Sequence, residues 1–280
     1  MAAIITALAR GYVYFNDEVS DPRTRDWFLM KAPWSILAFT ASYIYFVQTL
    51  GPRWMANKKP YNLDRIMQIY NVVQIGLSAY LFWQSLALGW FRHYNFTCEP
   101  VDYSIEPRQV AIAWTVWLFL LVKIIDCLDT IFFVLRKKQN QVTFLHVYHH
   151  SGMILGTWIA VKYLAGGHIT FMGFINSFVH LVMYSYYLLT SLKLGKLWWK
   201  KYLTQLQLAQ FIAILYHFSQ LLWVPDCGFP LWPIAILIPQ NIFMIVLFAD
   251  FYYKTYIKKR PEKISTENSK GDVTKETKVQ

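Results

Sequence analysis

The chain has 280 residues, 56% of them hydrophobic and 18% aromatic, and carries a formal net charge of +11. Its apolar residues fall in blocks of about twenty rather than at the period of an amphipathic surface helix, which excludes an ordinary soluble domain and makes a lipid bilayer the expected surrounding. Lys and Arg cluster in alternate loops, so the charge reads as membrane topology and no nucleic-acid partner is expected.

Seven blocks are expected to span the bilayer, at about Trp34–Leu50, Ile66–Phe91, Val110–Leu135, Phe144–Leu164, Ile169–Leu192, Tyr202–Trp223 and Leu231–Ile257. Met1 to Lys31 lack a basic region followed by an apolar core and a small-residue cleavage site, so no cleavable signal is expected. No linker or repeat interrupts the blocks. Residues 1–260 therefore read as a single seven-helix transmembrane domain, and the polar stretch 261–280 as a disordered tail.

One side of the bilayer collects Arg53, Lys58, Lys59 and Arg65; Arg136, Lys137 and Lys138; Lys193, Lys196, Lys200 and Lys201; and Lys254, Lys258, Lys259 and Arg260. The positive-inside rule then places the C-terminus in the cytosol and the N-terminus on the opposite face. Cys98 and Cys227 fall in two connections on that opposite face, where an oxidising lumen permits a disulfide; the alternative is two unpaired thiols in separate loops. Asn95-Phe96-Thr97, nearby, fits the N-glycosylation pattern.

Polar residues recur inside four of the blocks. In the third, Lys123, Asp126 and Thr130 share a helix face, with Asp129 beside it. In the fourth, "QVTFLHVYHH" places His146, His149 and His150 at i, i+3, i+4, about 5 to 10 Å from the cytosolic end. In the fifth, Asn176, His180 and Tyr184 follow at four-residue steps, with Tyr187 near the same stripe; in the sixth, Thr204, Gln207 and Gln210 recur every third residue. Taken singly, such a residue is an interhelical hydrogen bond worth about 1 kcal/mol, the reading that suits the isolated His168 and His217, with a loop role for His93. For Lys123 the plain alternative is an ion pair with Asp126. Grouped at one depth on neighbouring helices, charged and imidazole groups are too costly to be idle, and they imply a polar pocket in the cytosolic half.

The HxxHH pattern also occurs in di-iron membrane desaturases and hydroxylases, which draw on many histidines in several boxes. This chain has seven histidines, three of them on the expected luminal side, with no second box and no cysteine pair, so neither a metal nor another cofactor is expected. Imidazole then serves as nucleophile or general base. A seven-helix receptor or transporter fits the topology but leaves three histidines within five residues unexplained.

"KIIDCLDT" (123–130), "QVTFLHVYHH" (141–150), "NSFVHLVMYSYY" (176–187) and "TQLQLAQ" (204–210) resemble, in order, four signatures of the very-long-chain fatty acid elongases, the condensing enzymes of the endoplasmic reticulum. Within that family "LHVYHH" and "DCGFPLW" are most similar to the animal subgroup-four members. The resemblance implies an all-α membrane protein whose second to seventh helices form an inverted barrel around an acyl tunnel closed at its luminal end. It implies condensation of a long-chain acyl-CoA with malonyl-CoA to a 3-oxoacyl-CoA, CO2 and CoA. As partners it implies the bilayer, a homodimer and the other enzymes of the elongation cycle.

On this reading His149 attacks the thioester to form an acyl-imidazole, and His146 and His150 orient it or move protons. Asp129 fixes a tautomer, His180 polarises a carbonyl, and Asn176, Tyr184 and Gln207 supply hydrogen bonds in the pocket. Lys123, Asp126, Tyr187, Thr204 and Gln210 join them as substrate-binding candidates. Arg136, Lys137, Lys138, Lys200 and Lys201 either bind CoA phosphates or only set topology. Asp126 stands where the family usually has glutamate, which points to a structural role, and "KETKVQ" lacks the dilysine retrieval signal of many relatives. A hydrocarbon core of about 30 Å leaves room for roughly fifteen to twenty acyl carbons below His149, with His217, Gln220, Trp223 and Trp232 as candidates for the tunnel floor.

Overall fold

A computed structural model describes residues 1–195 and 197–258; Lys196, Lys259, Arg260 and the tail expected to be disordered lie outside the described residues. The described chain is helical, without strands. It runs through α1 (Ala2–Val13) and α2 (Trp34–Tyr45), which passes by one wider turn (Phe46–Leu50) into α3 (Gly51–Met55). There follow α4 (Asp64–Leu88), α5 (Pro107–Asp126), α6 (Leu128–Leu135), α7 (Phe144–Tyr163), α8 (Thr170–Ser191), α9 (Lys200–Ser219) and α10 (Trp232–Tyr252).

The helices α4, α5, α7, α8, α9 and α10 have 20 to 25 residues, so each is about 30 to 38 Å long, enough to cross a hydrocarbon core. Among the described residues one helix, Trp232–Ile257, is also apolar enough to cross a membrane by composition alone. The others bury polar groups and turn apolar ones outward. Ile69, Val72, Val73 and Ile212 are exposed, whereas Gln74, Lys123, Asp126, Asn176 and Gln210 are buried. That is the reverse of a water-soluble protein and suits a lipid surrounding.

Local chemistry sets the helix boundaries. Pro107 opens α5, where its missing N–H costs nothing. Thr143 Oγ1 accepts the His146 backbone N–H at 3.3 Å and caps α7, fixing the histidines in its first two turns. The third block, expected to be continuous, breaks at Cys127. Its N–H reaches back only three residues, to Ile124 O at 3.3 Å, and this tightened turn between α5 and α6 separates Asp126 from Asp129.

Six helices pack in a closed circuit: α4 on α5, α5 on α7, α7 on α10, α10 on α9, α9 on α8, and α8 back on α4, with α2 outside against α7. One end of the circuit carries Arg136, Lys137, Lys138, Lys200 and Lys201. At the other a disulfide joins Cys98, between α4 and α5, to Cys227, between α9 and α10. At that end Gly167 has a φ of +63°, and a Cβ there would lie 2.6 Å from Pro100 O, so only glycine fits. The N-terminal segment is tied to the same end: Arg23 pairs with Asp21 at 2.6 Å and donates to Asp102 O at 2.7 Å, and Lys162 donates to Met30 O at 2.8 Å.

Candidate active site

Asp126, at the last turn of α5, is the centre of a buried polar network. Lys123 Nζ donates to its Oδ2 at 2.8 Å, one turn away on the same helix. Gln74 Nε2, from α4, donates to Oδ1. His180 Nδ1, from α8, lies 3.5 Å from Oδ2 and 3.4 Å from Lys123 Nζ. The Tyr184 hydroxyl, one turn after His180, donates to Asp129 Oδ2 at 2.8 Å, with Asp126 Oδ1 at 3.1 Å. Tyr70 completes the group: its hydroxyl accepts from Gln74 Nε2 at 3.2 Å and lies 3.2 Å from the Tyr184 hydroxyl. A buried charge is tolerated only when paired and hydrogen-bonded, and Asp126 has both.

The histidine box adjoins this network. His146 Nε2 lies 2.9 Å from Thr130 Oγ1, one turn beyond Asp126, and Thr130 in turn lies 2.8 Å from the Tyr43 hydroxyl of α2. The His146 and His150 rings are 4.4 Å apart, centroid to centroid, and His149 and His150 are 5.6 Å apart. His149 faces Phe211 of α9, 6.4 Å between centroids. Next to Phe211, Gln210 accepts from Asn176 Nδ2 at 3.5 Å, one turn from His180. Residues of α5, α6, α7, α8 and α9 thus meet at one level.

The acidic residues do not sit as the spacing suggested. Asp129, expected to orient a box imidazole, is held by Tyr184 instead, because the break at Cys127 turns it toward α8. Asp126 is the carboxylate beside an imidazole, His180. Gln207 lies 3.5 Å from Met183 Sδ and Thr204 3.5 Å from the Tyr256 hydroxyl, both away from the network; Tyr187 reaches it only through the Tyr184 ring, at 5.9 Å. Among the basic residues, Arg136 pairs with Asp64 at 3.5 Å, Lys137 donates to Ala56 O at 2.9 Å, and Lys200 and Lys201 are exposed.

Gln74, Tyr70 and Tyr43 had no place in the sequence reading, although Gln74 and Tyr70 share an i, i+4 face within an apolar block. Three buried side-chain atoms at this level lack a partner: Gln74 Oε1, Asn71 Nδ2 and Asn176 Oδ1. Such groups carry a desolvation cost unless a ligand satisfies them. Among the described residues no three His, Cys, Asp or Glu side chains converge as a metal site.

Below the network, toward the disulfide end, lies a partly open apolar cavity. Leu81 of α4, Phe119 of α5, Thr157 of α7 and Gly173 of α8 line it, and Trp90 lies at its far end. Lys123 Nζ sits 4.7 Å from the Phe119 ring centroid, so polar network and apolar cavity share a wall. Two of the tryptophans expected at a tunnel floor are outside it: Trp223 is 64% exposed and Trp232 45%. His217 and Gln220 are buried near the floor, where His168 and His217 stack at 3.7 Å and each ring approaches the other's backbone carbonyl, at 3.0 and 3.3 Å.

The chain is similar to known proteins over most of its length. A very long chain fatty acid elongase of Aedes aegypti is 45% identical over 250 residues, covering 87% of this chain and 69% of the relative. Very long chain fatty acid elongase 7 of Drosophila melanogaster is 41% identical over 258 residues (91% and 78%), and elongase 4 of Homo sapiens is 42% identical over 248 (88% and 78%). The GNS1/SUR4 (ELO) family model matches residues 28–264, most of the chain, and the protein belongs to that family.

Proposed function

We propose that this protein catalyses the condensing step of fatty acid elongation, joining a long-chain acyl-CoA to malonyl-CoA and releasing CoA, CO2 and a 3-oxoacyl-CoA two carbons longer. The observation that carries the reading is the buried Lys123–Asp126–His180 network beside the histidine box, with Phe119, which packs against Lys123, lining an adjacent apolar cavity. On this reading the acyl chain lies in the cavity and the thioester at the polar level.

The reaction divides into two steps. A ring nitrogen of His149 attacks the thioester carbon, the C–S bond breaks, and CoA leaves as the thiol with the imidazole proton. Malonyl-CoA then loses CO2, and its enolate carbon attacks the acyl-imidazole and expels imidazolide, which takes up one proton from solvent to restore the imidazole. Two modest barriers replace one large one. When Lys123 donates to His180 Nδ1, the His180 proton resides on Nε2, a donor able to polarise a carbonyl. Asp126 Oδ2 accepts from Lys123 Nζ and holds it beside His180, and the unpartnered Asn176 Oδ1 and Gln74 Oε1 are free to accept from substrate amide N–H groups.

On this reading the circuit of α4, α5, α7, α8, α9 and α10 is an inverted barrel, α2 adds a seventh span, and residues 1–260 form one catalytic domain. The protein lies in the endoplasmic reticulum membrane with its basic end and C-terminus cytosolic and its N-terminus and disulfide luminal. Arg136, Lys137, Lys138, Lys200 and Lys201 face the CoA phosphates. Purified protein given acyl-CoA and labelled malonyl-CoA without other enzymes should release labelled 3-oxoacyl-CoA. No labelled product from well-folded protein would refute the assignment.

A further inference from the structure

We infer that Trp90 is the floor of the acyl cavity and sets the longest chain this enzyme extends. The inference rests on the condensing function above and concerns specificity alone. Trp90 is fully buried and lines the cavity at the end remote from the polar network. From Gln74 to Ser85, α4 covers about 17 Å at about 1.5 Å per residue, and the chain then turns back under its own helix. The Trp90 backbone N–H bonds to Ser85 O at 2.9 Å, and Phe91 follows with a φ of +65°. The turn brings Trp90 back among the residues that line the cavity.

A floor that discriminates between chain lengths must not yield, and Trp90 is braced on several sides. Its ring lies 5.2 Å from Tyr94, 5.3 Å from Phe171 and 5.3 Å from His217, all edge-on, and 5.1 Å from Phe96. Those braces are themselves locked: His217 stacks on His168, and the His168 backbone N–H bonds to Glu99 O at 2.7 Å. Gln220 donates to Phe96 O at 3.3 Å, and the Cys98–Cys227 disulfide closes the same layer. The indole Nε1 has no hydrogen-bond partner. A buried indole normally finds one, so the ring is kept here for its shape.

Gly173 provides a test of opposite sign. It lines the cavity between the polar network and Trp90, and a Cβ added there would sit 3.9 Å from the Phe119 ring, an ordinary contact. A side chain at this position enters the bore without displacing backbone. Trp90→Phe, Trp90→Leu and Gly173→Val proteins, purified in detergent, would be given saturated acyl-CoAs of increasing length with labelled malonyl-CoA, and product lengths read by chromatography. Trp90→Leu should extend the longest product by about one or two cycles, Trp90→Phe by less, and Gly173→Val should shorten it with activity on shorter acyl-CoAs retained. Active Trp90 variants with the wild-type cut-off would overturn the inference. Should the Trp90 variants fail to fold, Gly173→Val decides: an unchanged cut-off overturns it. Failure of wild-type protein to make any product would instead count against the condensing function.

Discussion

The two ends of the helical circuit use buried polar residues in opposite ways. At the disulfide end His168 and His217 each place one ring nitrogen on the other's backbone carbonyl, their rings stack at 3.7 Å and a covalent bridge closes the layer, although His168 Nδ1 and Trp90 Nε1 have no partner there. At the basic end Asp126, His180, Gln74 and Asn176 are equally buried, several polar atoms likewise stay unpartnered, and three imidazoles crowd within a few ångströms. Burial of a histidine therefore says little by itself. What separates a clamp from a reactive site is its company: a stacked ring pair held on backbone carbonyls at one end, and a carboxylate, a lysine and three further imidazoles at the other.

The largest effect that would break this contrast is the loss of one box histidine. His149→Ala should lower condensation by about a thousandfold or more and leave the thermal transition nearly unchanged, since the imidazole packs only against Phe211 and its neighbours. His217→Ala should do the reverse, lowering Tm through loss of the clamp. Equal losses of activity with no change in Tm for both variants would erase the distinction.

The network at the basic end is also structurally costly to disturb. Asp126→Asn removes the partner of a buried ammonium and should destabilise the protein by about 3 to 5 kcal/mol. Lys123→Met combined with Asp126→Asn should recover part of that loss while remaining inactive. A double variant no more stable than the single would show that Lys123 is not balanced mainly by Asp126. The measurement is thermal unfolding in detergent.

The covalent bridge is expected to come next. Cys98→Ser with Cys227→Ser should cost about 2 to 4 kcal/mol, because the bridge closes a long loop, and should leave the chemical step intact. A matching loss of turnover on short acyl-CoAs would mean that the two ends are coupled. Smallest of all, replacing Lys200 and Lys201 by Gln should raise KM for both CoA substrates several-fold at low salt with kcat held, and chelation by EDTA should change nothing. Reactivation by added iron or zinc after an EDTA-induced loss would favour metal chemistry in the box.

Much of this arrangement is legible in the sequence because a bilayer makes polar residues conspicuous. The i, i+3, i+4 histidines, Lys123, Asp126, Asn176 and His180 all stand out from apolar blocks, and the fold groups their side chains at one level. The parts that are not legible depend on packing. Gln74 and Tyr70 look like ordinary polar interruptions of α4 until α8 brings Tyr184 against them. The break at Cys127 has no proline or glycine to announce it, yet it decides that Asp126 rather than Asp129 meets an imidazole. Trp223 and Trp232, expected at the floor, are exposed and do not line the cavity, because depth along a helix can be counted from sequence, whereas the direction of a side chain around a bundle cannot. Trp90 lies beyond the end of its helix, where helical periodicity no longer applies.

The central claim is that a box imidazole carries the acyl group between two half-reactions. Purified wild-type protein incubated with a long-chain acyl-CoA in the absence of malonyl-CoA, and weighed intact by mass spectrometry, tests it directly. The account predicts a gain of one acyl group per chain, absent from His149→Ala and discharged on adding malonyl-CoA with release of the 3-oxoacyl-CoA. Unmodified protein under conditions where the same preparation elongates acyl-CoA would contradict it, as would an acyl group that persists in the His149→Ala variant.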